Sequence, residues 1–441
     1  MSETLRNADV AALAKDPGTS KALRFGAMAD GLRGSEILRI ANEIRAMGVL
    51  GQKVCDLTVG DFSPQQFPIP ETLKTALASA IARGETNYPT AAGMPALREA
   101  VLGFYRRELE LDYPLESVVI TSGSRPGIYG TFRTLVDPGD VVVYPAPSWN
   151  NNHYTHLVGG TGVALTCRAA DNFMPSREAV RAAIPGTRLL CLCSPQNPTG
   201  SVFARDVLQG VCDDVLAENE SRARRGERPL YVLFDQVYWM LTFGAARHFT
   251  PPGLVPEMAR YTVLVDGISK AFAATGLRVG WAVGPVDVIA KMTALFGHVG
   301  AWAPRPEQLA TIELLNDDDA VRAFSETFKR GLQQRLHALS DGFQSMKADG
   351  LPVDCLAPAG AIYLTARIAP FGRRTPAGEE LRTTDDVRRY VLSAAGIAAV
   401  PFSAFAMKDD DGWFRLSVGA VSLADIEQAI PRISAALRAL A

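Results

Sequence analysis

The sequence predicts an α/β protein: a large domain with a mainly parallel sheet covered by helices on both faces, plus a smaller α+β domain assembled from both chain ends. Three observations predict it. Six short, continuous apolar runs (Val118–Ile120, Val141–Tyr144, Gly162–Leu165, Leu189–Leu192, Tyr231–Phe234 and Thr262–Val265) alternate with longer helix-like stretches. Strands that are apolar throughout belong to sheets buried on both faces. After Pro304 the pattern turns helical through about residue 347, then strand-like at Ala361–Leu364 and Phe414–Val418, with a closing helix from Leu423 to Leu440. Finally, 441 residues are too many for one compact unit.

Taken in order, Met1 to Ser20 mixes charge with alanine and reads as a loose arm, with no apolar block or cleavage pattern of a secretory signal. Between Glu36 and Met47 the residues Ile37, Leu38, Ile40, Ala41 and Ile44 recur near helical spacing, with Ser35 placed as an N-cap. Val54–Gly60 reads as a short strand. The proline-rich segment from Ser63 to Pro70 then turns the chain, because proline offers no backbone donor. The helix–strand alternation begins at about residue 71. The boundaries that follow are an arm over 1–34, a small domain over 35–70 and 330–441, and a large domain over 71–329. Glu218 to Arg228 reads as a solvated helix end and loop.

Composition narrows the function classes. With 45 basic and 47 acidic residues and a net charge of −2, the chain has no electrostatic footprint for nucleic acid or an anionic membrane, which leaves a small-molecule partner. No apolar run approaches the roughly 18 residues of a membrane-spanning helix. The six cysteines are scattered without a disulfide rhythm, which predicts reduced thiols and a cytoplasmic location. Cys191 and Cys193 alternate within a buried-strand pattern and read as packing, so no metal site is expected.

Four segments carry chemistry. Ser269, Lys270 and Arg278 follow the last of the six apolar runs, and place a hydroxyl, an amine and a guanidinium at short offsets. A lysine forms an imine with a carbonyl, while serine and arginine suit a phosphate. Ser-Lys alone is far more often a surface lysine after a strand. Ser194-Pro195-Gln196-Asn197-Pro198-Thr199-Gly200 follows another strand and presents Asn197 on a stiff loop, at the strand end where α/β sheets bind ligands. An ordinary turn has the same composition. Asp235 ends a third strand, where a buried carboxylate needs a cation: a protonated pyridine nitrogen or an arginine. Tyr238 lies three residues on. The turn Thr121-Ser122-Gly123-Ser124-Arg125-Pro126-Gly127 leads into a helix, as phosphate-binding turns do and as plain connections also do. Trp149, beyond the next strand, suits either stacking on a flat ring or burial in the core.

In this order, and with Phe414-Arg415-Leu416-Ser417 late in the chain, the segments resemble the class I/II aminotransferases of the aspartate-aminotransferase-like superfamily, the fold type I pyridoxal-phosphate enzymes. The resemblance runs from about Gly34 to the C-terminus. It implies a seven-stranded large-domain sheet, pyridoxal 5'-phosphate as cofactor, and a transaminase (EC 2.6.1.-) moving an amino group between an L-amino acid and a 2-oxo acid by a ping-pong route. It further implies that Lys270 holds the cofactor covalently and then moves the proton, and that Asp235 pairs with the pyridine nitrogen. Asn197 and Tyr238 would contact the phenolic oxygen. Ser124, Arg125, Ser269 and Arg278 would line the phosphate, and Trp149 would cover the ring. Tyr88 matches the tyrosine that reaches a neighbouring subunit's phosphate, implying a homodimer with shared sites. Arg415 matches the arginine that forks onto the substrate α-carboxylate, and Gly60 the glycine beside it.

The chain departs from that pattern at three places. Pro401-Phe402-Ser403-Ala404-Phe405-Ala406 replaces a glycine turn, and the added bulk is expected to reshape the substrate side of the pocket. Arg125 stands where lysine or glutamine is common, and Trp302 where small hydroxylated residues are usual. Arg33, Arg305 and His298 are candidate partners for a substrate side-chain carboxylate, whereas Trp149, Trp239 and Trp302 would suit an apolar one. The same scaffold also hosts lyases, decarboxylases and synthases, which break a different bond at the α-carbon.

Overall fold

The structure, a computed structural model, describes residues 10, 14, 25–34, 36–49 and 54–441. The expected cap Ser35 and most of the loose arm lie outside the described residues. The chain divides into two compact units, Met1–Gly34 and Ser35–Ala441. In the first, Ala27–Asp30 forms one exposed helical turn.

The second unit opens with the helix Glu36–Val49 and is centred on a seven-stranded sheet. After β1 (Cys55–Asp56) the chain forms β2 (Val118–Thr121), β3 (Val141–Ala146), β4 (Thr161–Thr166), β5 (Thr187–Cys193), β6 (Tyr231–Asp235), β7 (Thr262–Gly267) and β8 (Gly280–Val283). Strands β2 to β8 join in the order β2-β8-β7-β6-β5-β3-β4. Strands β3 to β7 pair in parallel, while β8 runs antiparallel to both β7 and β2.

The apolar runs are continuous because successive side chains enter different layers. Leu190 and Leu192 of β5, Phe234 of β6 and Leu264 of β7 pack on one face with Phe104 and Trp281. Leu189, Cys191, Leu233, Val263 and Val265 pack on the other with Ile128, Phe132 and Phe296. β4 is mostly exposed despite its composition, since it lies at the sheet edge with a neighbour on one side only. The parallel strands bring the residues after β5, β6 and β7 to one edge, which is where the chemistry-bearing segments begin.

A four-stranded antiparallel sheet follows, in the order β12 (Val400–Pro401), β13 (Trp413–Ser417), β10 (Tyr363–Ile368), β9 (Val353–Cys355). Strand β11 (Ile397–Ala398) pairs in parallel with β1, which joins the early segment to the late one. The strand expected over Val54–Gly60 is only Cys55–Asp56. Asp56 Oδ1 accepts from the Thr58 amide at 2.9 Å and from its hydroxyl, and this local turn ends the ladder.

Helix Asp318–Ala348 packs Leu332, Leu336, Leu339 and Phe343 into the core of this sheet, together with Ile426 and Ile433 of helix Leu423–Arg438. The helical stretch after Pro304 is broken into Arg305–Leu315 and Asp318–Ala348 because Asp317 caps a new start, its carboxylate accepting from Ala320 N at 2.9 Å. The last helix begins at a reciprocal Ser422/Asp425 capping box, passes through Pro431 and ends at Arg438, two residues earlier than the periodicity predicted. Among the described residues, no helix is long and apolar enough to cross a membrane.

Candidate active site

Beyond β7 a single helical turn, Ile268–Ala271, carries Lys270. Its Nζ donates to the Gly60 carbonyl and lies 5.7 Å from the Phe62 ring centroid and 5.9 Å from that of Tyr238. Burial lowers its pKa to about 8. Asp61 opposes the shift, and the guanidiniums of Arg415, Arg125 and Arg278 add to it. Asp61 itself accepts from the Thr275 hydroxyl.

Arg278 is fixed in the left-handed region at φ 56°. It donates to Thr275 O at 2.6 Å, Ser122 O at 3.2 Å and Ser269 Oγ at 3.5 Å. A Cβ on Gly123 would meet Arg278 Nη2 at 2.0 Å, and Gly123 has φ 79°, so only glycine suits this turn. Helix Ser124–Leu135 starts there without a side-chain cap, which leaves its first amides available to an anion. The exposed Arg125 sets its guanidinium 4.6 Å over the Trp149 ring.

On the other side stand Asp235, Asn197, Tyr238 and Arg415. Asp235 ends β6 and accepts from Val237 N at 3.2 Å, and no ion pair is made to it among the described residues. Burial pushes its carboxyl up to about 6, against the pull of the Val237 amide and Lys270. Arg415 is 2% exposed on β13 and donates from Nη1 to Asn197 Oδ1 at 3.0 Å and from Nη2 to Thr58 O at 2.5 Å. Its Nε is buried without a partner. The guanidinium lies between two rings, 4.6 Å from the Tyr363 centroid and 4.9 Å from that of Phe405. Tyr238 and Tyr363 meet hydroxyl to hydroxyl at 2.5 Å, and burial raises both phenols.

The residues singled out in the sequence thus form two linked groups: Lys270, Gly60, Asp235, Tyr238, Asn197 and Arg415, and then Ser124, Ser269 and Arg278 with Arg125 and Trp149. Tyr88 stands apart, 84% exposed, with its ring 5.9 Å from Trp302. Of the candidates for side-chain recognition, Arg305 is tied to Glu85 at 2.7 Å and His298 is exposed. Trp239 is buried with its Nε1 on Asp266 at 2.8 Å, which removes it from the pocket. Arg33 is an exposed residue of the first unit. Of the bulk at Pro401–Ala406, Phe402 is 3% exposed in a core cluster with Phe173 and Trp413, whereas Phe405, 1% exposed, sets its ring 4.9 Å from the Arg415 guanidinium. Sequence reasoning missed Tyr363 and Asp61. For Asp61 the available signal was its place next to Gly60.

Three comparisons bear on this arrangement. A family model described as aminotransferase class I and II matches residues 52–433. The chain is 32% identical to an aspartate aminotransferase of Rhizobium meliloti over 406 residues, covering 91% of this chain and 93% of that one. It is also 32% identical to the aspartate/prephenate aminotransferase of Thermus thermophilus, covering 90% and 94%. The solved structure of the aspartate aminotransferase from Rhizobium meliloti superimposes with a TM-score of 0.85 at 30% identity, over 95% of this chain and all of that one. That of the Thermus thermophilus aspartate aminotransferase with maleate gives 0.82 at 29% identity, over 94% and 99%.

Proposed function

The chain belongs to the class I and II aminotransferase family and is a transaminase, and from that premise we propose that it works with pyridoxal 5'-phosphate held on Lys270. The observation that carries the reading is Lys270 itself: a half-buried amine with its pKa lowered to about 8, near enough to Asp235 to draw down that carboxyl, while Asp235 makes no ion pair among the described residues. Three further features support the fit. Asp235 at a strand end suits a protonated ring nitrogen. The close approach of Arg278 to Gly123 and the uncapped helix start suit a phosphate. The indole of Trp149 suits the flat ring. Ser124, Arg125, Ser269 and Arg278 would hold the phosphate, and Asn197 and Tyr238 the phenolic oxygen. When bound, the cofactor supplies an electron sink for the α-carbon.

The chain's own residues do the rest. Arg415 receives the substrate α-carboxylate on N–H groups that are free in the structure, with Gly60 and Asn197 beside it. With the cofactor bound, Lys270 would be the base that takes the proton from the substrate α-carbon and holds it on Nζ, a task that a pKa lowered to about 8 favours. Asp235 keeps the ring nitrogen charged throughout. Tyr88 serves the neighbouring subunit's site in a homodimer, and its exposure supports that reading. Within the second unit, residues 35–70 and 330–441 form the smaller domain and 71–329 the cofactor-binding one. The six free cysteines support a cytoplasmic location.

The test is direct. Borohydride reduction of the loaded enzyme should label the Lys270 peptide, and Lys270→Ala should lose both that label and transamination. A panel of amino donors with 2-oxoglutarate and pyruvate, starting from the aspartate of the relatives' names, should give turnover only when the oxo acid is present. Turnover without an acceptor would indicate a lyase instead.

A further inference from the structure

Tyr363 lies on β10 of the small sheet, 1% exposed, and meets three residues of the first group in the site. Its hydroxyl is 2.5 Å from that of Tyr238, beyond the end of β6. Its ring lies 4.6 Å from the Arg415 guanidinium. A Cβ built on Gly60 would come within 2.8 Å of the Tyr363 hydroxyl, and the Gly60 carbonyl is the acceptor for Lys270. One side chain therefore touches Tyr238, Arg415 and the backbone that receives the lysine.

We propose that Tyr363 is a positioning residue for transamination, its hydroxyl orienting Tyr238 and its ring orienting Arg415. The inference rests on the roles given above to Tyr238 and Arg415. Between two hydroxyls at this distance only one proton fits on the line joining them, so one phenol must donate and the other accept. A cation over the ring draws electron density from Tyr363 and makes it the better donor, in keeping with the pull of Arg415 that lowers its pKa against the raising effect of burial. Asp235 and Cys193, the other titratable groups near this hydroxyl, act in the opposite sense. With Tyr363 donating, Tyr238 is left with its own proton pointing elsewhere, free to donate to the cofactor's phenolic oxygen. The ring meanwhile holds one face of the guanidinium while Phe405 holds the other, which fixes the plane of the fork.

The two contacts are separable by substitution. Tyr363→Phe keeps the ring and removes the hydroxyl. In the loaded enzyme it should raise the pH midpoint of the lysine-bound cofactor's absorbance change by about half a unit to one unit, the size of one lost neutral hydrogen bond. Its Kd for maleate, a dicarboxylate without an amino group, should stay within about twofold of wild type. Tyr363→Leu also removes the ring and should weaken maleate by roughly 5- to 30-fold. Tyr238→Phe is the control and should raise the midpoint at least as far. If Tyr238→Phe moves the midpoint and Tyr363→Phe does not, or if Tyr363→Leu binds maleate as wild type does, the inference is overturned while the reading of the site stands. If Tyr238→Phe itself leaves the midpoint unmoved, the role of Tyr238 falls, and this inference with it.

Discussion

Arg415→Gln tests the substrate end of the site. A guanidinium has five N–H groups. Two are used, by Asn197 Oδ1 at 3.0 Å and Thr58 O at 2.5 Å, which leaves three, including a buried Nε with no partner. A carboxylate taking two of these as charge-assisted bonds gains about 1.5–3 kcal/mol from each. Glutamine fills part of the volume and retains one amide group, so the net loss is about 2–4 kcal/mol, or roughly 30- to 1,000-fold in kcat/KM. Because amino donor and oxo acceptor both carry an α-carboxylate, kcat/KM should fall by similar factors for both half-reactions. Maleate should weaken in parallel, while the absorbance of the loaded cofactor persists. Arg415→Lys, which keeps the charge without the fork, should fall between the variant and wild type. A change of less than about threefold in both half-reactions, in a protein that folds and loads cofactor, would refute the assignment.

Asp235→Asn should make the cofactor-free protein more stable at pH 7. The native carboxyl titrates near 6 against an ordinary 3.8, so the folded state binds more protons between those values and loses stability as pH rises through them. Removing the ionisable group should recover about 1–2 kcal/mol at pH 7 and little at pH 3.5, as read by melting of the apo protein at the two pH values; an equal gain at both would contradict the assigned shift. Gly60→Ala drives a Cβ to 2.8 Å from the Tyr363 hydroxyl beside the carbonyl that receives Lys270, and kcat/KM should fall by about tenfold or more at near-normal cofactor affinity. Gly123→Ala should instead weaken the cofactor, since its Cβ would lie 2.0 Å from Arg278 Nη2 at a φ of 79°. Equilibrium titration with pyridoxal phosphate checks this, and unchanged affinity would remove the Gly123–Arg278 turn from the phosphate site.

What was legible in the sequence was whatever sits on one local segment. Asn197, Asp235 and Lys270 each follow a run whose continuous apolarity marks a strand buried on both faces, and parallel strands deliver their following residues to one edge. The chemistry could therefore be placed before the topology was known. β8 was not read as a strand, because Gly280-Trp281-Ala282-Val283 is short and opens with a glycine; it holds its place by antiparallel pairing on both sides. Tyr363 was out of reach for a related reason. It was seen as part of a strand, but its meeting with Arg415 depends on register. Tyr363 pairs with Ser417 and Thr365 with Arg415, which puts Tyr363 and Arg415 diagonally on one face. A slip of one residue would have reversed which side chains face the pocket, and no local pattern encodes that choice.

The segment Pro401–Ala406 shows how a departure in sequence can be absorbed largely into the core while one ring reaches the site. The chain forms a short 3-10 turn, Phe402–Phe405, whose large side chains face inward. Phe402 meets Phe173 at 5.0 Å and Phe405 at 6.3 Å, and Phe173 meets Trp413 at 5.2 Å. Behind the guanidinium of Arg415 there is therefore a continuous aromatic wall, with Phe405 as its front face and Tyr363 opposite. Apolar rings at both faces keep water from the flat sides of the fork and leave its edge as the route for an acceptor, which strengthens each N–H···O bond made there. The added bulk thus acts on the group common to every amino acid and 2-oxo acid, the α-carboxylate. Discrimination among side chains must then arise elsewhere, and Trp302 with the exposed Tyr88 beside it is the aromatic surface outside this wall that the departures in sequence mark out.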